Sequence, residues 1–259
     1  MTCCPICGGR ADPAFTARVR NEHDARCLQC GPCGFLFVED PHWLEAAHRD
    51  AINASDTGLV RRNIDAAKAA SSIILACLDR SGTFLDEAGG TGLLVRLMRD
   101  RGFDFRWRDP YAANVFARGF EAPSPDARFE AITWFECAEH VRDPVAAVGR
   151  LLAQTDVLVL STLLLPSPAP APDRWWYYGW GHGQHVSFYT RGALEALARR
   201  SGARCLSDGR SMHLITRRPI HPMALRLALL ASAVIDPIGT RLLCRPLTES
   251  DHLQLKGRP

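Results

Sequence analysis

Three things are missing from this sequence: an excess of charge, a long hydrophobic run and a signal-peptide pattern in its first residues. Its 31 basic and 28 acidic residues leave a net charge of +3. So even a balance offers no basic face to nucleic acid or to anionic lipid. The longest apolar run near the C-terminus, Leu227 to Ile235, falls well short of the ~20 residues that span a bilayer. No basic-then-apolar pattern opens the chain, where cysteine already stands at position 3. These absences lead us to expect a soluble, cytoplasmic protein without nucleic-acid or membrane partners.

What is present is enough for a sizeable core. Apolar residues make up 47% of 259 positions, sufficient for one large α/β domain and a small module. The ten cysteines are unevenly placed. Cys3, Cys4, Cys7, Cys27, Cys30 and Cys33 crowd the first few dozen residues, while Cys77, Cys137, Cys205 and Cys244 are scattered on apolar stretches. Clustering at C-x₂-C spacing in a cytoplasmic chain argues for metal rather than disulfides. Cys4-Pro5-Ile6-Cys7 is one such turn, and Cys27, Cys30 and Cys33 offer a second in two registers. We favour Cys4, Cys7, Cys30 and Cys33, because Cys33-Gly34-Phe35-Leu36 reads as a knuckle running into a strand, as in zinc ribbons. The register through Cys27 stays open. Four thiolates leave no open coordination position, so the expected Zn²⁺ is structural.

The stretch that organises the rest is Phe84-Leu85-Asp86-Glu87-Ala88-Gly89-Gly90-Thr91-Gly92-Leu93. An apolar run ends in a carboxylate, small residues follow, and an amphipathic run begins: strand, tight turn, helix. Open α/β sheets bind ligands at such turns. The dinucleotide fingerprint G-x-G-x-x-G needs a glycine where Val95 stands, and Asp86 would repel a pyrophosphate. Asp86 suits a ligand with an ammonium and a sulfonium group. The aromatic strand Phe103 to Trp107 leads to Asp109, where an acid at a strand end can take two ribose hydroxyls. Phe129 to Phe135 and Asp156 to Leu165 read as further strands. Leu59 to Leu78 and the segment after Asp143-Pro144 read as helices. Alternating strand and helix imply a parallel sheet. Ala203 to Leu206 and Met212 to Thr216 read as a final hairpin.

Three segments carry a resemblance. Asp86-x-Ala88-x-Gly90-x-Gly92 resembles the D-x-G-x-G-x-G loop of class I S-adenosylmethionine (SAM)-dependent methyltransferases, with Ala88 in place of the first glycine. Phe129 to Pro144, through Phe135-Glu136-Cys137-Ala138-Glu139-His140, resembles the FDLITAFEVLEHVPDP segment of the same family. Gly183-Gln184-His185-Val186-Ser187-Phe188-Tyr189 is similar to the EHISYFS segment of zinc-module-bearing sugar methyltransferases, with Gln184 in place of a glutamate. The resemblance implies a Rossmann-like α/β sheet with helices on both faces, preceded by a small zinc ribbon. It implies SAM held by Asp86, Ala88, Gly89, Gly90, Thr91, Gly92, Asp109, Phe135 and Glu136. It implies His185 as general base, with Glu139 and His140 as further candidates. The acceptor expected is a small molecule of the sugar or nucleotide-sugar class, walled by Trp175 to Tyr178.

The expected organisation is a zinc module over 1–40, a polar connector over 41–58 with His42 and His48 on the surface, a SAM-binding domain over 59–218, and an extension over 219–259 with one short helix, Met223 to Ile235, and a polar tail. The sequence assigns no oligomeric state. Rival readings are an NAD-dependent oxidoreductase, which the missing third glycine opposes, and a non-enzymatic module with a degenerate methyltransferase fold.

Overall fold

A computed structural model describes residues 2–48 and 56–256; residues 49–55 of the expected connector lie outside the described residues. The first strands are β1 (Thr2–Cys3), β2 (Arg10–Val19), β3 (His23–Cys30) and β4 (Leu36–Val38). Then come β5 (Thr83–Glu87), β6 (Asp104–Arg108), β7 (Ala131–Phe135), β8 (Val157–Ser161), β9 (Ser187–Phe188), β10 (Arg204–Ser207) and β11 (Met212–Thr216). The helices are α1 (Leu44–His48), α2 (Leu59–Cys77), α3 (Leu93–Asp100), α4 (Pro144–Leu152), α5 (Arg191–Arg200), α6 (Pro222–Leu230), α7 (Ser232–Leu243) and α8 (Thr248–Leu255). Two compact units result. Met1–Ala51, Glu136–Leu152 and Leu160–Arg217 form the first; Ile52–Phe135, Ala153–Val159 and Arg218–Pro259 form the second.

In the second unit β5 runs parallel to both β6 and β7, so Asp86 stands opposite Trp107 on one side and Thr133 on the other. Phe84, Leu85, Phe105 and Ile132 are fully buried, as parallel strands covered on both faces require. Helix α2 buries Ala67, Ala70, Ile73 and Ile74 and packs against α3, α6 and α7. The C-terminal segment differs from expectation, with three helices where one helix and a polar tail were read. The tail's charge is structural. Asp251 of α8 takes a two-pronged ion pair from Arg99 of α3, at 2.8 and 2.7 Å, and both groups are buried. The Arg99 guanidinium also lies 3.9 Å from the Phe120 ring centroid, and Arg101 pairs with Asp236 of α7 at 2.8 Å.

In the first unit an antiparallel sheet runs in the order β1-β2-β3-β4-β9. The long β2–β3 hairpin was not read from the sequence. Its turn places Arg20 and Asn21 at φ +52° and +58°, with the Glu22 N–H donating to the Val19 carbonyl at 3.0 Å. Two left-handed residues in succession are a type I′ turn built here without glycine. The apolar centre of this unit gathers Val19, Cys27, Leu36, Val38, Trp43, Tyr178 and Phe188. Asp143 caps α4 by accepting from the Ala146 N–H at 3.0 Å, and Thr190 caps α5 by accepting from the Ala193 N–H at 3.1 Å.

The α/β sheet has the strand order β10-β11-β8-β7-β5-β6, with β10 and β11 antiparallel. Strand β8 contributes residues 157–159 to one unit and 160–161 to the other.

Candidate active site

The loop after β5, in the second unit, is held by hydrogen bonds to the end of β6. The Gly89 N–H donates to the Arg108 carbonyl at 3.2 Å, and the Trp107 indole N–H to the Gly90 carbonyl at 2.9 Å. The Gly90 N–H donates to Asp109 Oδ2 at 2.9 Å, and the Gly92 N–H closes the turn on the Gly89 carbonyl at 2.9 Å. The Thr91 carbonyl accepts from Val115 and Phe116, both at 2.9 Å. Ala88, Gly90 and Gly92 all have left-handed backbone, at φ +56°, +53° and +81°. Ala88 thus adopts the conformation that a glycine takes more readily; a left-handed non-glycine residue costs about 1–2 kcal/mol.

Two glycines serve close approach. A Cβ on Gly89 would lie 2.7 Å from Asp86 Oδ2, so only glycine lets the loop rest on that carboxyl group. A Cβ on Gly92 would lie 2.8 Å from Ala117 Cβ and 2.9 Å from Asn114 Oδ1. Gly90 is the contrast: a Cβ there meets nothing within 4 Å. The loop therefore presents an open cradle above a buried acid, which fits a cationic nucleoside donor.

Asp86 is 3% exposed and accepts from Thr133 Oγ1 at 2.7 Å. Burial pushes its carboxyl up to about 7, and the charges of Asp109 and Glu87 act in the same direction. Asp109 does more than the sequence reading gave it. Its Oδ1 accepts from Tyr111 and Ala112 N–H at 2.7 and 2.8 Å, while its Oδ2 pins Gly90. Oδ1 is thereby filled, and Oδ2 keeps one lone pair for a ribose hydroxyl.

Beyond Phe135, the last residue of β7, the chain passes into the first unit through Glu136. Glu136 sits at φ +51°, a strained conformation for glutamate. Ser161 holds it there, accepting from the Glu136 N–H at 2.8 Å and donating to Glu136 Oε1 at 2.6 Å. A 3₁₀ turn then carries Ala138, Glu139 and His140. Glu139 is fully buried. Its Oε1 accepts from the Tyr177 hydroxyl at 2.6 Å, while its buried Oε2 has no hydrogen-bond partner among the described residues. Burial, with Glu136's charge added, pushes Glu139 up to about 8.

Tyr177 also fixes His185. The His185 Nδ1 lies 2.6 Å from the Tyr177 carbonyl. A carbonyl only accepts, so Nδ1 carries the proton and Nε2 keeps the lone pair. Burial lowers His185 to about 4, so the ring is neutral at pH 7. His140 is held well below the usual histidine range by burial and by its histidine neighbours. The His140 and His185 rings are 4.9 Å apart, and the coordinating atoms of Glu139, His140 and His185 all lie within 4.8 Å of one another. His42 is exposed as expected, but His48 is only half-exposed, with its ring centroid 5.8 Å from that of His140.

The structure brings Cys4, Cys7, Cys30 and Cys33 together, with Cys4–Cys33 sulfurs 3.7 Å apart and Cys7–Cys30 sulfurs 3.4 Å apart. Zinc–sulfur bonds of about 2.3 Å give tetrahedral edges of about 3.8 Å, so the four thiols fit one ion. Cys27 points elsewhere: it sits in the apolar centre, where burial pushes its thiol up to about 12.

Some side chains that support the candidate site escaped the sequence reading. Thr133 and Ser161 are polar residues in buried strands, and that mismatch was the available signal. Tyr177 was read as an acceptor wall, but it is a buried strut for Glu139 and His185. Tyr178 is buried in the apolar centre, its hydroxyl donating to the Pro170 carbonyl at 2.8 Å. Of the four expected wall aromatics, Trp176 stays the most open, at 79% exposure.

A family model described as a methyltransferase domain matches residues 60–208, more than half of the chain. No curated protein matches. Several solved methyltransferase structures are similar. One is the 1,6-didemethyltoxoflavin-N1-methyltransferase of Burkholderia thailandensis, with bound 1,6-didemethyltoxoflavin and S-adenosylhomocysteine: 18% identity, 78% of this chain and 98% of that one, TM-score 0.48. Another is CalO1, a methyltransferase in calicheamicin biosynthesis, in its S-adenosylhomocysteine-bound form: 14% identity, 69% and 67% coverage, TM-score 0.42. A third is the magnesium protoporphyrin IX methyltransferase ChlM of Synechocystis PCC 6803 with bound SAM: 11% identity, 68% and 91% coverage, TM-score 0.42. By the match over residues 60–208, the chain belongs to the methyltransferase-domain family.

Proposed function

We propose that this enzyme methylates a hydroxyl of a small-molecule acceptor, a sugar or nucleotide-sugar being the class we favour. Residues 86–92 would hold the donor, with Gly90 as the cradle and Ala88, Gly89, Thr91 and Gly92 shaping it. Ionised Asp86 supplies negative potential for the ammonium and sulfonium, and Asp109 takes the ribose. Phe135 and Glu136 close the donor side. In the reaction the acceptor oxygen forms a bond to the methyl carbon, its proton passes to a base, and the carbon–sulfur pair returns to sulfur. His185 is that base, with Glu139 and His140 beside it. The observation that carries this role is the Tyr177 carbonyl on Nδ1, which leaves Nε2 as the acceptor of the proton. The open indole of Trp176 gives a sugar face something to stack on.

The four N-terminal thiols would bind structural Zn²⁺. We take 1–40 as the zinc-binding module, 59–218 as the SAM-binding domain and 219–259 as a C-terminal extension. The test is release of S-adenosylhomocysteine, followed by mass spectrometry, over a panel of hydroxylated acceptors that includes nucleotide-sugars. His185→Asn should abolish release and leave SAM binding measurable by calorimetry. Full turnover in that variant removes His185 from the chemistry.

A further inference from the structure

A proton acceptor needs one imidazole and a group to orient it. The first unit holds more than that: two imidazoles and a carboxyl group, with coordinating atoms within 4.8 Å of one another. The geometry points to a divalent transition-metal site formed by Glu139, His140 and His185. Metal–ligand bonds of about 2.1 Å set neighbouring ligands roughly 3–3.5 Å apart, a distance that small side-chain rotations reach from here.

Two further observations support the site. Glu139 Oε2 is buried and lacks any hydrogen-bond partner among the described residues. Buried polar atoms are rarely left so, and a cation would satisfy this one. The ligands are also supported from behind, as metal ligands are. The Tyr177 hydroxyl occupies Glu139 Oε1 and leaves Oε2 free to coordinate, while the Tyr177 carbonyl occupies His185 Nδ1–H and leaves Nε2 free to do so. One residue thereby aims two ligands.

The donor set selects the ion class. Two imidazoles and one carboxylate suit Zn²⁺, Mn²⁺, Fe²⁺ or Co²⁺ rather than Mg²⁺ or Ca²⁺. Three protein ligands leave positions open for an oxygen of the acceptor. The consequence for catalysis rests on the methyl-transfer reading above: with an ion seated, His185 is a ligand, and the acceptor hydroxyl loses its proton to water instead. Metal binding itself does not depend on that reading.

The test is titration of Mn²⁺ into the full chain carrying one equivalent of Zn²⁺, which the four thiols hold, followed by electron paramagnetic resonance. Mn²⁺ is chosen because hard ions avoid the four-thiol cluster. Wild type should bind a single ion with imidazole nitrogen coupling in the pulsed spectrum. Glu139→Gln and His140→Ala, checked for fold by SAM calorimetry, should each weaken binding at least tenfold. Absence of binding, bound Mn²⁺ without nitrogen coupling, or unchanged binding in both folded variants overturns the site. An inactive protein that binds Mn²⁺ through nitrogen upholds the site and overturns the methyl-transfer reading alone. An active enzyme that ignores Mn²⁺ does the reverse.

Discussion

Asp86 makes a quantitative prediction, because its burial links stability to pH. Its carboxyl moves from an ordinary 3.8 to about 7 in the fold. Between those values the unfolded chain has lost the proton and the folded chain still holds it. Folded protein therefore binds more protons, and stability falls as pH rises through the window. At about 1.4 kcal/mol per pH unit, the full effect above pH 7 is about 4 kcal/mol. Asp86→Asn keeps the shape and the carbonyl that accepts from Thr133, and it removes the ionisation. Other buried acids shift in the same direction, so the informative quantity is the difference between variant and wild type. We expect urea unfolding of SAM-free protein to show Asp86→Asn gaining about 3 kcal/mol relative to wild type between about pH 4.5 and about pH 8. SAM carries positive charge and favours ionised Asp86. Wild-type affinity for SAM should accordingly rise with pH across the same window, and that of Asp86→Asn should stay flat. A variant-minus-wild-type difference that does not change with pH would refute the reasoning.

Ala88→Gly should raise stability by about 0.5–1 kcal/mol, the relief of left-handed strain less the added freedom of the unfolded chain; a thermal melt reads it. Asp251→Ala removes one of the two carboxylates on the buried Arg99 guanidinium, leaving Asp104, and should cost about 1.5–3 kcal/mol in urea unfolding. Removing metal with a strong chelator should free the Cys4–Cys7 and Cys30–Cys33 turns and lower the melting temperature, because four thiolates would no longer be tied to one ion; Zn²⁺ should restore it.

What could be read from the sequence was local. The strand–glycine–helix turn and the C-x₂-C pairs announce themselves within a few residues, because backbone freedom and thiol spacing are local demands. The β2–β3 hairpin was hidden because its strands are polar on their exposed side and its turn uses Arg20 and Asn21 in place of glycine. Strand β9, two residues beyond His185, pairs with β4, a long-range contact that no periodicity reveals. Asp251 looked like a solvated tail charge; its buried partner lies 152 residues away. The aromatic stretch around Tyr178 fills a core more than it lines a site, and composition alone does not distinguish the two. The double duty of Tyr177 depends on one hydroxyl and one carbonyl meeting two separate segments.

The central claim, that the loop at Gly90 cradles SAM, is tested most directly by calorimetric titration of SAM into wild type and Gly90→Val. A side chain at that position meets no protein atom at its Cβ, so it fills ligand space at a backbone cost of about 1–2 kcal/mol. Wild type should bind one SAM per chain, and the folded variant should give no binding heat. Equal SAM binding by the two proteins would contradict the account.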